Sequence, residues 1–312
     1  MKHNLKITII ILSMFLLTQF IGLYVVDYYA QQRVIEGSQV NIENVNDLPY
    51  GMQNSISEAS EKQEMGILSF AISFLFAVLL ILFLTKIRAK FVMKIWFLIV
   101  VILALGISLT SILPSWSYVS LIALVIALPI AILKVYGRNF LAHNLSELLI
   151  YPGIAAIFVP ILNLIGIIIL LVLISLYDMW AVWKSGIMQK MAKYQMDNLK
   201  VFAGFYVPYL TKTQRGKLIS MKKKGKDLKK IKMKVNVAIL GGGDVVFPII
   251  ASGVVLKTWG IWPAIGVIFG ALLGLGFLLL KSEKKKFYPA MPFITTGIFI
   301  SMVISWVIIY VF

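Results

Sequence analysis

Apolar runs of about 20 residues, separated by short polar loops, recur along almost the whole chain. Each is long enough to cross a hydrocarbon core of about 30 Å. The pattern predicts nine spans, at about 6–26, 66–85, 92–112, 117–135, 145–159, 162–183, 235–256, 260–280 and 288–311. The fifth is short and stops near Pro160. Continuous apolar runs point to helices, because the strands of a membrane barrel would alternate apolar and polar positions. The expected fold class is all-α, a polytopic membrane helix bundle with about nine transmembrane helices. The first run, Ile7 to Val26, follows Lys2, His3 and Lys6. It is too long for the core of a signal peptide, and no small-residue cleavage site follows it, so it reads as a retained span.

The loops between these runs carry charge unevenly. Lys2 and Lys6, then Lys86, Arg88, Lys90 and Lys94, then Lys134 and Arg138 all fall on one side of a nine-span chain. So do fifteen Lys or Arg between Lys184 and Lys234, opposed only by Asp197 and Asp227, and the group Lys281, Lys284, Lys285 and Lys286. The other side holds the acidic loop Asp27–Glu64, the near-neutral turns at Pro114 and Pro160, and Lys257. This bias predicts a cytoplasmic N terminus and an outside C terminus. Composition agrees with membrane residence: 60% of residues are hydrophobic, 14% are charged and the mean hydropathy is +0.91, whereas soluble domains carry about a quarter charged residues. The net charge of +17 is accounted for by orientation and by anionic lipid at the basic loop 184–234, so nucleic acid is not an expected partner. Phe202, Phe205, Tyr206 and Tyr209 form an apolar stretch in that loop, suited to the membrane surface or to docking on the bundle.

The chain has no cysteine, which excludes disulfides, thiolate catalysis and cysteine metal sites. His3 and His143 fall in polar flanks of the predicted spans. Of the 13 acidic residues, seven lie in the first outside loop, Glu147 at a span edge, and Asp197, Asp227 and Glu283 in cytoplasmic loops. The other two, Asp178 and Asp244, fall inside consecutive spans. A carboxyl at a helix centre in lipid costs about 2.5–3.5 kcal/mol on insertion scales, so such groups face a cavity, a partner or a pathway. Asp178 lies six residues before Lys184, about 9 Å along a helix, and Asp244 ten residues after Lys234, about 15 Å. Consecutive antiparallel spans are often neighbours, so the two acids can face each other at similar depth. Two carboxyls a few ångströms apart cannot both ionise readily and share a proton. Such a pair supplies a base and an acid for attack of water on a carbonyl, with neither metal nor cofactor. It equally suits a proton-coupled transporter or ion-leak pathway, or a neutral hydrogen-bonded lock between helices.

Gly241, Gly242 and Gly243 precede Asp244 and make a weak helix where another backbone could approach. Gly266, Gly270 and Gly274 recur every four residues in span eight, the pattern of tight helix packing. The ninth span opens with Tyr288-Pro289-Ala290-Met291-Pro292; its prolines either break the backbone beside a cavity or simply start a helix.

In their order and placement these motifs resemble the presenilin and signal peptide peptidase family of intramembrane aspartyl proteases. That family carries Tyr-Asp in the sixth span, Gly-x-Gly-Asp in the seventh and Pro-Ala-Leu at the ninth. Here Tyr177-Asp178, Gly241-Gly242-Gly243-Asp244 and Pro289-Ala290-Met291 fall in the same three spans. The resemblance implies that Asp178 and Asp244 are a catalytic dyad, and that Gly241 and Gly243 permit close packing and substrate approach. It also implies that Tyr177, Gly242, Pro289, Ala290 and Met291 shape the site. Gly242 stands where the family often has leucine, and Met291 replaces leucine at similar volume. The implied substrates are transmembrane helical proteins, entering from the bilayer and unwinding, with the unwound strand pairing to backbone near Gly243 and Pro289. An N-terminal bundle (1–159) would then support a catalytic half (160–312). The orientation is that of presenilins, and the short loops look like those of an archaeal or other prokaryotic homologue in a cell membrane. Homo-oligomerisation is left open. There is no His-Glu-x-x-His motif, and no repeated half with a matching interrupted span of the kind transporters carry.

Overall fold

A computed structural model describes residues 5–30, 32–35, 38–41, 46–52, 72, 76, 80, 90–137, 139–185, 202–209, 214, 236–282 and 288–311. Among the described residues, eight helices are long and apolar enough to cross a membrane. They are α1 (Leu5–Tyr28), α2 (Lys90–Ile112), α3 (Val119–Tyr136), α4 (Phe140–Phe158), α5 (Leu164–Trp180), α6 (Gly242–Trp259), α7 (Ile261–Lys281) and α8 (Met291–Val311). The expected span 66–85 lies outside the described residues except for positions 72, 76 and 80, and most of the basic loop 184–234 is likewise outside them.

The centre of the bundle is α6, buried continuously from Pro248 to Leu256. Around it pack α1, α4 and α7, with α5 and α8 touching it more lightly. Ile11, Phe15, Ala155, Ile249, Val254, Ile268, Leu275, Ile294 and Ile298 fill the core. α2 and α3 form a second apolar layer against α4. Among the described helices α5 sits at the edge. It buries only Gly166, Ile167, Leu171, Ser175 and Asp178, a single stripe at helical spacing, while Ile165, Ile169, Leu173 and Leu176 face outward. The glycine repeat behaves as expected at two of its three positions. A Cβ on Gly270 would collide with the Gly297 carbonyl and one on Gly274 with the Phe293 carbonyl, so α7 and α8 cross with backbones nearly touching. Gly266 is looser, and its carbonyl accepts from Ser301 Oγ at 2.7 Å.

Two short hairpins interrupt the helical reading. β1 (Gln32–Ile35) pairs with β2 (Ser38–Asn41) in the first loop. β3 (Gly204–Tyr209) pairs antiparallel with β4 (Asn236–Gly241), joining Phe205 to Leu240 and Val207 to Ala238. The helix expected from residue 235 is therefore a strand as far as Gly241, and α6 starts at Gly242. Burial alternates along β4, with Ala238 and Leu240 inward and Val237 and Ile239 outward, which is the period of a strand. The stretch around Phe205 docks on the bundle, with that ring fully buried. Asp244 consequently sits in the first turn of α6, not ten helical residues deep.

Three further positions are corrected. Lys134, His143 and Glu147, expected in loops, polar flanks or a span edge, are all buried, in α3 and α4. Lys134 Nζ pairs with Glu147 Oε1, each side chain 1% exposed, and His143 Nε2 lies 3.4 Å from the same oxygen. The cluster closes one edge of the hairpin. The Gly204 N–H donates to Glu147 Oε1 at 3.1 Å, and His143 Nε2 lies 2.9 Å from the Gly204 carbonyl. The Asn144 amide gives its N–H to the Tyr206 carbonyl at 2.9 Å and accepts the Tyr206 N–H at 3.2 Å. Removing one partner of a buried ion pair leaves the other charge stranded. Glu147→Leu should therefore cost about 3–5 kcal/mol of stability, and adding Lys134→Met should restore part of it. Thermal unfolding in detergent checks this, and a double variant no more stable than Glu147→Leu would contradict the account.

Candidate functional site

Asp178 occupies the last turn of α5, on its buried stripe, and is 7% exposed. Directly after it the helix widens into a π-turn, Ala181–Ser185, a local distortion often found at functional sites. Its Oδ2 accepts the Met291 N–H at 3.0 Å, and the Ala290 N–H also donates to this carboxyl. Met291 is the first residue of α8, whose initial N–H groups have no partner within the helix. The segment 288–290 is non-helical, and Pro292 in the first turn has no N–H to satisfy. The proline motif thus aims a helix N-terminus at a carboxylate, which favours the charge. One turn away, Ser175 Oγ and Thr295 Oγ1 hydrogen-bond at 2.8 Å and tie α5 to α8.

Asp244 is the third residue of α6, and α6 packs against α5. Gly241 occupies the N-cap position without a side chain to cap the helix. The Asp244 carboxyl instead turns back to accept the Gly241 N–H, the acid half of a capping box. Pro248 deprives the Asp244 carbonyl of its helical partner, and the next carbonyl, Val245, accepts the Gln19 amide of α1 at 3.0 Å. Asp244 is half-buried, within Coulombic range of Asp178.

The glycines divide their roles differently from the expectation. A Cβ on Gly242 would stand 2.8 Å from the Tyr151 hydroxyl, so this position, where the family often has leucine, is the tight one. Gly243 is exposed, and a Cβ there would meet only Phe247, at 3.6 Å. A Cβ on Gly241 would lie 3.2 Å from Asp244 Oδ2. Pro289 and Met291 are buried beside Asp178, with Ala290 half-buried. Tyr177 is not gathered in. It is 58% exposed, with its ring tilted against Trp180 on the outer face of α5.

The residues that sequence reasoning missed are on α4. His143, Glu147 and Tyr151 follow one another at four-residue spacing on a single face, a signal that was present but divided between a supposed flank and a span. Among the described residues no three His, Cys, Asp or Glu side chains gather to hold a metal ion. Two carboxyls from adjacent helices, each held by a backbone N–H at a helix N-terminus, can share one proton and pass it to or from a reacting group.

Comparison with known proteins gives two positive findings. Residues 46–311 match the family model described as signal-peptide peptidase, presenilin aspartyl protease. Two solved structures of a presenilin family intramembrane aspartate protease are similar. The one in space group C222 has a TM-score of 0.59 at 18% identity, covering 96% of this chain and 99% of that chain. The one in space group P2 has a TM-score of 0.57 at 16% identity, covering 96% of each. No curated protein sequence matches.

The packing at the glycine turn makes opposite demands at adjacent positions. Gly242→Ala forces Tyr151 to shift and should destabilise by about 1–3 kcal/mol. Gly243→Ala makes only an ordinary contact with Phe247 and should be neutral or stabilising by up to about 1 kcal/mol. Unfolding midpoints in detergent test the contrast, which fails if the two variants behave alike.

Proposed function

The chain belongs to the signal-peptide peptidase and presenilin family of aspartyl proteases, and from that premise we propose that Asp178 and Asp244 are its catalytic pair. The observation that carries this reading is the approach of the two carboxyls from α5 and α6, each held by N–H groups where a helix begins. The pair divides one proton. Its ionised member takes a proton from water as the oxygen attacks the scissile carbonyl; its protonated member gives one to the carbonyl oxygen. The carbonyl carbon becomes tetrahedral; on collapse the C–N bond breaks, the leaving nitrogen takes the proton that came from water, and a hydroxyl of the gem-diol returns its proton to the other carboxylate, so the pair again holds one. The N–H groups of Ala290 and Met291 hold Asp178 in place, and Gly243, open on its outer side, leaves room for the substrate backbone.

A transmembrane substrate must unwind before any carbonyl is exposed, and its freed backbone needs new partners. We assign that task to the outer edge of β4. On β3, Gly204 and Tyr206 turn their backbone groups to α4. Phe205 and Val207 therefore face β4, which leaves the groups of Val237 and Ile239 pointing away from β3. The Gly241 N–H on that same edge reaches Asp244. A substrate strand added there would run past the acids. In this reading residues 1–159 support a catalytic half, 160–312. The N terminus is cytoplasmic, the C terminus lies outside, water enters from the cytoplasmic side, and the membrane is a prokaryotic cell membrane with anionic lipid at the basic loop.

Two experiments test these assignments. With purified protein and a model transmembrane peptide, Asp178→Ala and Asp244→Ala should each lower cleavage by about a thousandfold or more; full activity in either ends the dyad assignment. Ile239→Pro removes an N–H from the open edge without touching the β3 ladder. It should reduce kcat/KM about tenfold with little change in unfolding midpoint, whereas unchanged kcat/KM would remove the strand-addition step.

A further inference from the structure

Tyr151 lies where α4 meets the glycine turn, and only 3% of it is exposed. Its ring packs edge-on against Phe205 of β3, with centroids 5.7 Å apart. Its hydroxyl faces Gly242 at the distance of a missing Cβ contact, 2.8 Å. That hydroxyl is buried and finds no partner in full hydrogen-bond geometry; the carboxyl nearest to serving as one is Glu147, one helical turn back. A phenol left so is unfavourable, because burial strips its water and returns only an imperfect contact with Glu147. Phenylalanine would fill the same space without that cost, so packing does not explain the oxygen.

Two carboxyls act on it: Glu147, which it can reach as a hydrogen-bond partner, and Asp244, which acts on it through charge from the far side of the turn at Gly242. They are not equally needy. Glu147 already receives the Lys134 ammonium and the Gly204 N–H, with His143 beside it. Asp244 receives the Gly241 N–H and is opposed by the charge of Asp178. An additional donor therefore gains more at Asp244 than at Glu147.

We propose that Tyr151 is a positioning residue for Asp244, its hydroxyl donating to the Asp244 carboxylate in the ionised state of the site. This rests on Asp244 being half of the catalytic pair. The donor steadies the carboxylate in one orientation and favours its charged form. It also links the site to the hairpin, because the same face of α4 that carries Tyr151 holds β3 through His143, Asn144 and Glu147. The groups that set the charge at this point are Asp178 from α5, Glu147 and His143 from α4, and Lys134 from α3.

The test compares Tyr151→Phe with the unaltered protein on a model transmembrane peptide, as a function of pH. Loss of the donor should lower kcat about tenfold with KM unchanged. It should also displace the activity profile to higher pH, since a carboxyl deprived of a donor keeps its proton longer. Tyr151→3-fluorotyrosine has almost the same size and a more acidic hydroxyl; it should displace the profile to lower pH, and it decides the matter if the phenylalanine variant does not fold. Profiles that stay in place in every variant that folds overturn the proposal, even where kcat falls, because that is the outcome of packing alone. Activity retained by Asp178→Ala or Asp244→Ala would instead overturn the dyad, so the two failures are separable.

Discussion

An unpaired strand edge inside a membrane bundle leaves backbone N–H and C=O groups without partners, at several kcal/mol each. The β3–β4 hairpin presents that problem, and much of the polar chemistry of this chain answers it. On the β3 side the answer is permanent: Asn144 imitates a neighbouring strand, while His143 and Glu147 take the groups of Gly204. Using a carboxylate for this places a charge in the interior, and Lys134 is buried with it as counter-ion. Desolvating both ions offsets much of their attraction, so the pair is better understood as the means of holding the hairpin than as a source of stability. On the β4 side the edge faces away from α4 and runs to Gly241 and Asp244.

The same accounting of backbone groups explains the acids. A carboxylate in this setting is opposed by desolvation and by its twin, and the nearest compensation is a helix N-terminus. α8 supplies one to Asp178 and α6 supplies one to Asp244. In both cases the sequence around the helix start is what makes the N–H groups available. The non-helical segment 288–290 leads into α8, and the N–H of the N-cap Gly241 goes to the acid three residues on. Each end contributes about 0.3–2 kcal/mol. Neither alone outweighs burial of a charge, so a single shared negative charge is the state that two such ends best support.

The helices were legible because the apolar runs are long and their interruptions short. The buried stripe of α5, with Ile167, Leu171, Ser175 and Asp178 at helical spacing, could be read directly from the chain. The hairpin was not legible. β4 is apolar on both faces, since Val237 and Ile239 are exposed and Ala238 and Leu240 buried, so strand alternation disappears into what reads as the start of a transmembrane run. Its partner lies some thirty residues earlier in a loop whose charge dominates any sequence reading. The α4 cluster was hidden for a related reason. Lys134, His143 and Glu147 look like loop residues because charge ordinarily marks a boundary, and only their mutual pairing admits them to the interior. The glycine triplet was recognised as special, but its tight member, Gly242, depends on Tyr151 from another helix, and no local pattern encodes that contact.

The two acids are also anchored unequally, and this bears on how a site inside a bundle admits a substrate. Asp244 belongs to the best-packed helix of the fold, fixed by Gln19 from α1, by Tyr151 against Gly242, and by the hairpin that continues into its first turn. Asp178 belongs to an edge helix that buries one narrow stripe and is tied at this end mainly to α8, through Met291 and through Ser175 with Thr295. α8 in turn locks onto α7 through glycines whose backbones nearly touch. Among the described residues, then, α5 is the more lightly held of the two helices that carry the acids, and α6 with the hairpin is the more firmly held. Light packing is a cost in stability, but it puts the less firmly anchored member of the proposed pair on the helix with the broader exposed face, where Ile165, Ile169, Leu173 and Leu176 stand.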